Sequence, residues 1–261
     1  MKPIALLTDF GLEDYYVGAM KGVILSISPN APIIDISHNI RPQDIRSAAF
    51  VLAACWRDFP EGTIFVAVVD PGVGSDRRAI LATAEGRFFV APDNGLLSFV
   101  LNGGSVLAFQ LTNEKYFKHP ISRTFHGRDI FAPVAAHLSN GTPPEEFGPQ
   151  IRDFVRFESS RPRRNSNGEA EGEIIYIDVF GNLVTNLRRG DVPAEFVIEI
   201  NGHQTSRLAE FYAGETAGEI FAIFGSAGYL EISANRDSAA RLLNANVGEK
   251  VLVKEQDVYV S

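Results

Sequence analysis

The segment TFHGRDIFAP, Thr124 to Pro133, places a histidine and a glycine directly before an arginine and an aspartate, where an apolar helix is expected to begin. Imidazole exchanges its proton near neutral pH more readily than any other side chain, so His126 is a candidate acid or base; a structural histidine at a helix start is the competing reading. Gly127, lacking a side chain, is expected to let a ligand approach His126 and the helix N-terminus closely, with Asp129 serving the helix dipole. A second cluster lies in DPGVGSDRR, Asp70 to Arg78. Its glycines and proline turn the backbone sharply, and Asp70 beside either Arg77 or Arg78 could form a charge pair that holds a water. The stretch is not a P-loop, because it lacks Gly-Lys-Ser/Thr.

Three further stretches carry polar ligand types. Asp9 in TDFG reads either as a turn or cap residue, or as a carboxylate that accepts hydrogen bonds from sugar hydroxyls. IDVFGNLVTN combines Asp178, Phe180, Asn182 and Asn186 around one glycine: a turn in a strand, or an aromatic face with amides and a carboxylate for a small molecule. FGSAGYLEISAN adds Ser226, Glu231 and Asn235. A metal centre is disfavoured: Asp9, His38, Asp70 and His126 are ligand types, but no HxH, HExxH or paired-Cys spacing accompanies them. No Gly-x-Ser-x-Gly elbow supports acyl transfer, and the single cysteine, Cys55 in VLAACW, reads as a buried thiol.

These residues need a scaffold, and the pattern up to Val155 supplies one. Apolar runs such as IALLTDF, PIIDIS and TIFVAVV alternate with helical periods, Val17, Met20, Ile24 and Ile27 in one, and Ile45, Ala49, Leu52 and Trp56 in the next. That is an α/β pattern, predicting a mainly parallel sheet with helices on both sides. AILATA, RFFVAPD and SVLAFQLT add strands, and 127–139 adds a helix. Ligands of open parallel sheets bind beyond the strand carboxyl ends, which is where Asp9, His38, Asp70 and Asp93-Asn94 fall. SSRPRRNSNGEAEG has linker composition, and beyond it period-two runs and an Asn201-Gly202 hairpin signal predict a small β-rich domain. The expected organisation is an N-terminal α/β domain at 1–160, a linker at 161–172 and a β-barrel-like domain at 173–261.

Taken in order, TDFG, VDPGVGSDRR, APDNGLL, TFHGRDIFAP, DVFGNLVTN and GSAGYLEISAN resemble the S-adenosyl-L-methionine (SAM) hydrolases (adenosine-forming), or SAM hydroxide adenosyltransferases, a superfamily shared with fluorinase and chlorinase. The resemblance covers nearly the whole chain. It implies an α/β domain joined to a β-barrel-like domain, and a homotrimer with active sites between the N-terminal domain of one subunit and the C-terminal domain of its neighbour. It implies SAM as substrate, no cofactor, and the products adenosine and L-methionine. The family's water-holding set maps onto Asp70, Arg77 and His126. Asp9 matches the ribose-binding residue, Asp178, Phe180 and Asn182 match the motif around the methionine end and base, and Ser226, Glu231 and Ala234 fall where adenine and the amino acid are met. Relative to the halogenases, the Asp178–Asn182 spacing is one residue shorter and Ala227 replaces an arginine. Those enzymes also replace the aspartate and histidine kept here, which points to water over halide. The alternatives are a halide transferase and a non-catalytic SAM sensor.

Such a reaction suits these residues. Neutral methionine leaves a sulfonium readily, so the task is to align and activate a weak nucleophile. Arginine favours hydroxide character, while Asp70 or His126 takes the proton, coupled groups sharing it. The bulk numbers agree with a small-molecule enzyme: 261 residues, 45% hydrophobic, net charge −8 and no basic block for nucleic acid. The short apolar run before Asp9 suits neither a signal peptide nor a membrane span, so the expected location is cytoplasmic.

Overall fold

The computed structural model describes residues 1–101, 105–157 and 161–255. Chain contacts divide it into two compact units, Met1–Phe157 and Glu158–Ser261.

The first unit runs β1 (Ile4–Thr8), α1 (Tyr16–Ile27), β2 (Ile33–Ser37), α2 (Ile45–Cys55), β3 (Ile64–Val68), β4 (Ala79–Ala84), β5 (Arg87–Pro92), β6 (Leu107–Gln110), α3 (Ala132–Ser139) and β7 (Gln150–Ile151). One sheet has the order β2-β1-β3-β5-β4-β6-β7. It is parallel from β2 to β5 and antiparallel from there to β7, because β4 and β5 form a hairpin closed at Glu85-Gly86. The continuously apolar β1 and β3 are buried on both faces, as the sequence predicts. Met20 and Ile24 of α1 join α3 against Ile4, Leu6 and Val66. Ala48 and Leu52 of α2 pack with Ala5, Leu7 and Phe65 on the opposite face. Strand alternation separates the two cores, so the helices lie on both sides of the sheet.

The second unit contains β8 (Arg163–Arg164), β9 (Ala170–Ile177), β10 (Leu183–Arg188), β11 (Phe196–Ile200), β12 (His203–Thr205), β13 (Ile220–Phe224), β14 (Tyr229–Ala234), α4 (Ala239–Leu242) and β15 (Lys250–Glu255). The sheet order is β12-β11-β15-β9-β10-β14-β13, with β8 on β9. It curls toward closure: Thr205 Oγ1 donates to the Ile220 carbonyl, and Ala222 exchanges backbone hydrogen bonds with Arg207 and Ala209. Asn201 and Gly202, at φ 50° and 77°, make the tight β11–β12 turn that their residue types predict. The polar stretch expected to be a linker is instead partly a hairpin. Arg163 and Arg164 pair with Glu171 and Ala170, and the Asn165 side chain accepts from the amides of Asn167 and Glu169 to hold the turn. Ser159 and Ser160, its first residues, lie outside the described residues. No described helix is long and apolar enough to cross a membrane.

Candidate active site

In the first unit the end of β3 delivers Asp70. Asn94 Nδ2 donates to the Val69 carbonyl at 2.9 Å, fixing the backbone one residue earlier. The following loop doubles back through Gly74, whose φ is +77° and where a Cβ would collide with the Arg123 carbonyl. Only glycine lets the Asp70–Arg78 loop lie this close to the segment that carries His126.

That approach brings three side chains together. Arg77 Nε lies 3.0 Å from Asp70 Oδ1, and Arg77 Nη2 donates both to Asp70 Oδ2 and to His126 Nδ1, the latter at 2.6 Å. The Asp70 and Arg77 side chains are only 5% and 11% exposed, so the pair is screened from water much less than a surface ion pair. Burial first, then the charge of Arg77, holds the His126 imidazole below its ordinary 6.5, against opposing pulls from Asp70 and Asp129. His126 is therefore neutral at pH 7.

The adjacent arginine does something else. Arg78 Nε donates to Asp93 Oδ2 at 2.8 Å, and its two other nitrogens reach Asp153 Oδ1 and the Asp153 carbonyl. Asp93 accepts from the Val155 amide as well. Arg78 thus ties the chain end of this unit to β5, and Arg77 alone touches Asp70 and His126.

Several expectations for this region change. Gly127 does not open a path to a ligand, because a Cβ there would press on Met20 Sδ at 3.2 Å and on the rings of Phe10 and Phe125 at 3.4 Å; it is small so that α1 can pack. The expected helix at 127–139 begins as a π turn, Gly127–Phe131, before α3. Asp129 is the acidic residue of that first turn, as expected for the helix dipole, but it is fully buried and bound by Arg128 and by the Ser122 amide, so it also buttresses the loop before His126. His38 is also buried, its ring held by Thr8 Oγ1 at 2.8 Å and Asp35 Oδ1 at 3.0 Å, which makes it structural. Asp9 is half-buried, and its Oδ2 accepts the Gln43 amide at 2.8 Å; it does not cap α1, and the other carboxylate oxygen has no hydrogen bond among the described residues.

The second unit contributes a cavity of about 510 Å³, lined by Asp178, Phe180, Asn182 and Ala234 of the expected set. Asp178 Oδ1 accepts the amides of Phe180 and Asn182, and Oδ2 accepts the Asn182 side-chain amide at 2.9 Å, a closed Asx turn between β9 and β10. Gly181, at φ +82°, leaves no room for a Cβ beside Ser238, and its carbonyl accepts the Ala240 amide, so α4 seats the turn. Phe180 projects outward, 74% exposed.

Tyr212, Arg236 and Asp237 line the same cavity and were not singled out by sequence; Asn235 was named only as part of its motif. Tyr212 donates to Glu231 Oε2 at 2.9 Å. Glu231 is buried and not on the cavity wall, and Gly225 makes space for its carboxylate, since a Cβ there would collide with it. Burial pushes the Glu231 carboxyl above its usual 4.5, partly offset by the Tyr212 hydrogen bond and reinforced by Asp178. Burial, then the bond to Glu231, pushes the Tyr212 hydroxyl well above the ordinary phenol range, so it remains a donor. Ser226, on the exposed β13–β14 turn, does not line the cavity. The one signal for Tyr212 was an aromatic pair, Phe211-Tyr212, in an otherwise polar connection. Among the described residues no group of three or more His, Cys, Asp or Glu side chains could hold a metal ion.

A mixed α/β unit ending in an Asp-Arg-His array, followed by a nearly closed β-barrel with an aromatic and carboxylate-lined cavity, defines a two-domain class of small-molecule enzyme. The chain belongs to the SAM hydroxide adenosyltransferase family, its N-terminal domain model matching residues 4–148 and its C-terminal domain model residues 172–252. It is 40% identical to a protein named (R)-S-adenosyl-L-methionine hydrolase from Thermus thermophilus, over 96% of this chain and 99% of the relative. A fluorinase from an Actinoplanes species is 31% identical, over 96% of each chain. A crystal structure of a conserved protein from Thermotoga maritima matches with a TM-score of 0.89 and 36% identity, over 96% of this chain and 99% of the other.

Proposed function

We propose that the protein hydrolyses SAM to adenosine and L-methionine, with water attacking ribose C5′ and methionine leaving as a neutral thioether. The observation that carries this function is the Asp70–Arg77–His126 array: a largely buried guanidinium that joins a carboxylate to a neutral imidazole, suited to making one oxygen nucleophile hydroxide-like. A halide needs no proton acceptor, so such an array has no task in a halide transferase. Asp9, with one carboxylate oxygen available, binds the ribose hydroxyls. Asp178, Phe180, Asn182 and Ala234 receive the substrate in the second unit, together with Tyr212, which Glu231 supports from behind. Ser226 contacts the amino-acid end only if the β13–β14 turn folds inward on binding.

The reaction balances without a cofactor. The protein acts as a homotrimer in which the first unit of one subunit and the second unit of another complete each site. Exposed apolar side chains support this assembly: Leu12 and Tyr15 on the first unit, each 66% exposed, and Val179, Phe180 and Phe211 on the second. We place it in the cytoplasm, consistent with its free, partly buried Cys55.

The test is incubation of the pure protein with separated sulfonium epimers of SAM in ¹⁸O-water, with and without chloride, since the Thermus relative's name specifies the (R) form. Adenosine labelled at its 5′-hydroxyl is the expected product. A 5′-halogenated nucleoside would replace hydrolysis by halide transfer, and intact SAM beside tight binding would make the protein a sensor. Light scattering that shows a monomer at active concentration would remove the trimer.

A further inference from the structure

We infer that His126 is a positioning residue, its Nδ1 holding Arg77 in register, and that the proton of the attacking water passes to Asp70. The assignment rests on the hydrolase function proposed above and divides the labour within it.

Hydrogen-bond capacity decides the matter. Arginine has donors only, so the 2.6 Å contact from Arg77 Nη2 requires an unprotonated Nδ1 on His126. The neutral ring then carries its proton on Nε2. A histidine acting as base through Nε2 would need the other tautomer, which sets an Nδ1–H against an arginine N–H at that distance. A base acting through Nδ1 would need a lone pair that Arg77 already occupies. Neither nitrogen of His126 is thus free to take a proton while the array holds.

Asp70 is different. Its two oxygens offer about four lone-pair sites, and the hydrogen bonds from Arg77 leave room at Oδ1, which among the described residues accepts only Nε. On the donor side, Arg77 Nη1 and His126 Nε2 make no hydrogen bond among the described residues. These free donors can stabilise a developing hydroxide while Oδ1 accepts its proton. In the step, one O–H bond of water breaks and its proton goes to Asp70. The oxygen's electron pair forms the bond to C5′, and the C5′–S pair stays on sulfur as the thioether. Asp70 later releases the proton to solvent.

Asparagine places its side-chain oxygen where histidine places Nδ1, whereas glutamine imitates Nε2. The experiment compares kcat for the wild type, His126→Asn, His126→Gln and His126→Ala, with folding checked by circular dichroism, and records the nitrogen-15 spectrum of His126 in the wild type. His126→Asn is expected within about tenfold of wild type, while the Ala and Gln variants lose about 10²-fold or more, the range seen when an acid–base or positioning group is removed. The spectrum is expected to show a protonated Nε2 and a bare Nδ1. A folded His126→Asn as inactive as His126→Ala, or a protonated Nδ1 in the wild type, overturns the inference; the spectrum decides even if the Asn variant does not fold. If the wild type makes no adenosine, the hydrolase function fails instead, and the tautomer is still read.

Discussion

Asp70, Arg77 and His126 in the first unit spend much of their hydrogen-bonding capacity on one another, whereas Asp178, Tyr212 and their neighbours in the second surround an empty volume of about 510 Å³. The first array has its partners before any ligand arrives, so it is preorganised, and its few leftover donors and lone pairs define where one small nucleophile can sit. The second is built to admit something large: its carboxylate is used to close a turn, its aromatic side chain projects outward, and the tyrosine is held from behind by Glu231. Substitutions in the Asp70–Arg77–His126 array should therefore act on turnover, and those around the cavity of the second unit on substrate affinity.

The sharpest way to break that division is Asp70→Asn. It removes the proton acceptor and leaves Arg77 without its charge partner, so turnover should fall by about 10²–10⁴ while SAM binding, measured by calorimetry, stays within a few-fold. Loss of binding in parallel with turnover would mean that the two regions do not divide the work. Gly74→Ala tests preorganisation itself. A side chain at φ +77° that meets the Arg123 carbonyl must push the loop away, and a shift of about 1 Å between aligned groups can cost about 10²-fold. Stability should also drop, by about 1–3 kcal/mol for forcing that backbone; an active variant with an unchanged melting temperature would show that the loop does not need this approach. Tyr212→Phe should be milder and fall on the other side of the division, raising KM by up to about tenfold at nearly constant kcat, since a buried acceptor on Glu231 loses its donor. A pure kcat effect would move Tyr212 into the chemistry.

The comparison also separates what could be read from sequence. The apolar runs of β1 and β3 and the periods of α1 and α2 announced the sheet and its helices, because each pattern is local. Asp70 and His126 stood out by residue type beside glycines. What separates Arg77 from Arg78 was not local: it depends on Gly74 meeting Arg123 and on Asp93 and Asp153 capturing the second arginine. Gly127 was misread for the same reason, since its neighbours Met20 and Phe10 come from the other end of the unit. Tyr212 lies in an irregular connection with no period, and only the fold reveals that Glu231 anchors it. The hairpin at 163–171 was hidden because an edge strand of two arginines has no apolar face to betray it.

The smallest expected effect is thermodynamic, and it carries opposite signs in the two regions. His126 has a lowered folded pKa, so between its ordinary 6.5 and that lower value the unfolded chain binds more protons than the native one; stability is full above 6.5 and falls as pH falls through this window. Glu231 has a raised folded pKa, so its contribution is full below 4.5 and is lost as pH rises through the folded value. Melting curves recorded at closely spaced pH values should therefore show a flatter acid slope in His126→Asn, and a gain over wild type for Glu231→Gln only at the higher pH values. Water screens the half-exposed His126, and the hydrogen bond from Tyr212 offsets part of the burial effect on Glu231, so each change is small. A Glu231→Gln protein that gained stability only at low pH would mean that the Glu231 carboxyl is held in its charged form, and that Tyr212 is fixed by an anion rather than by a buried acid.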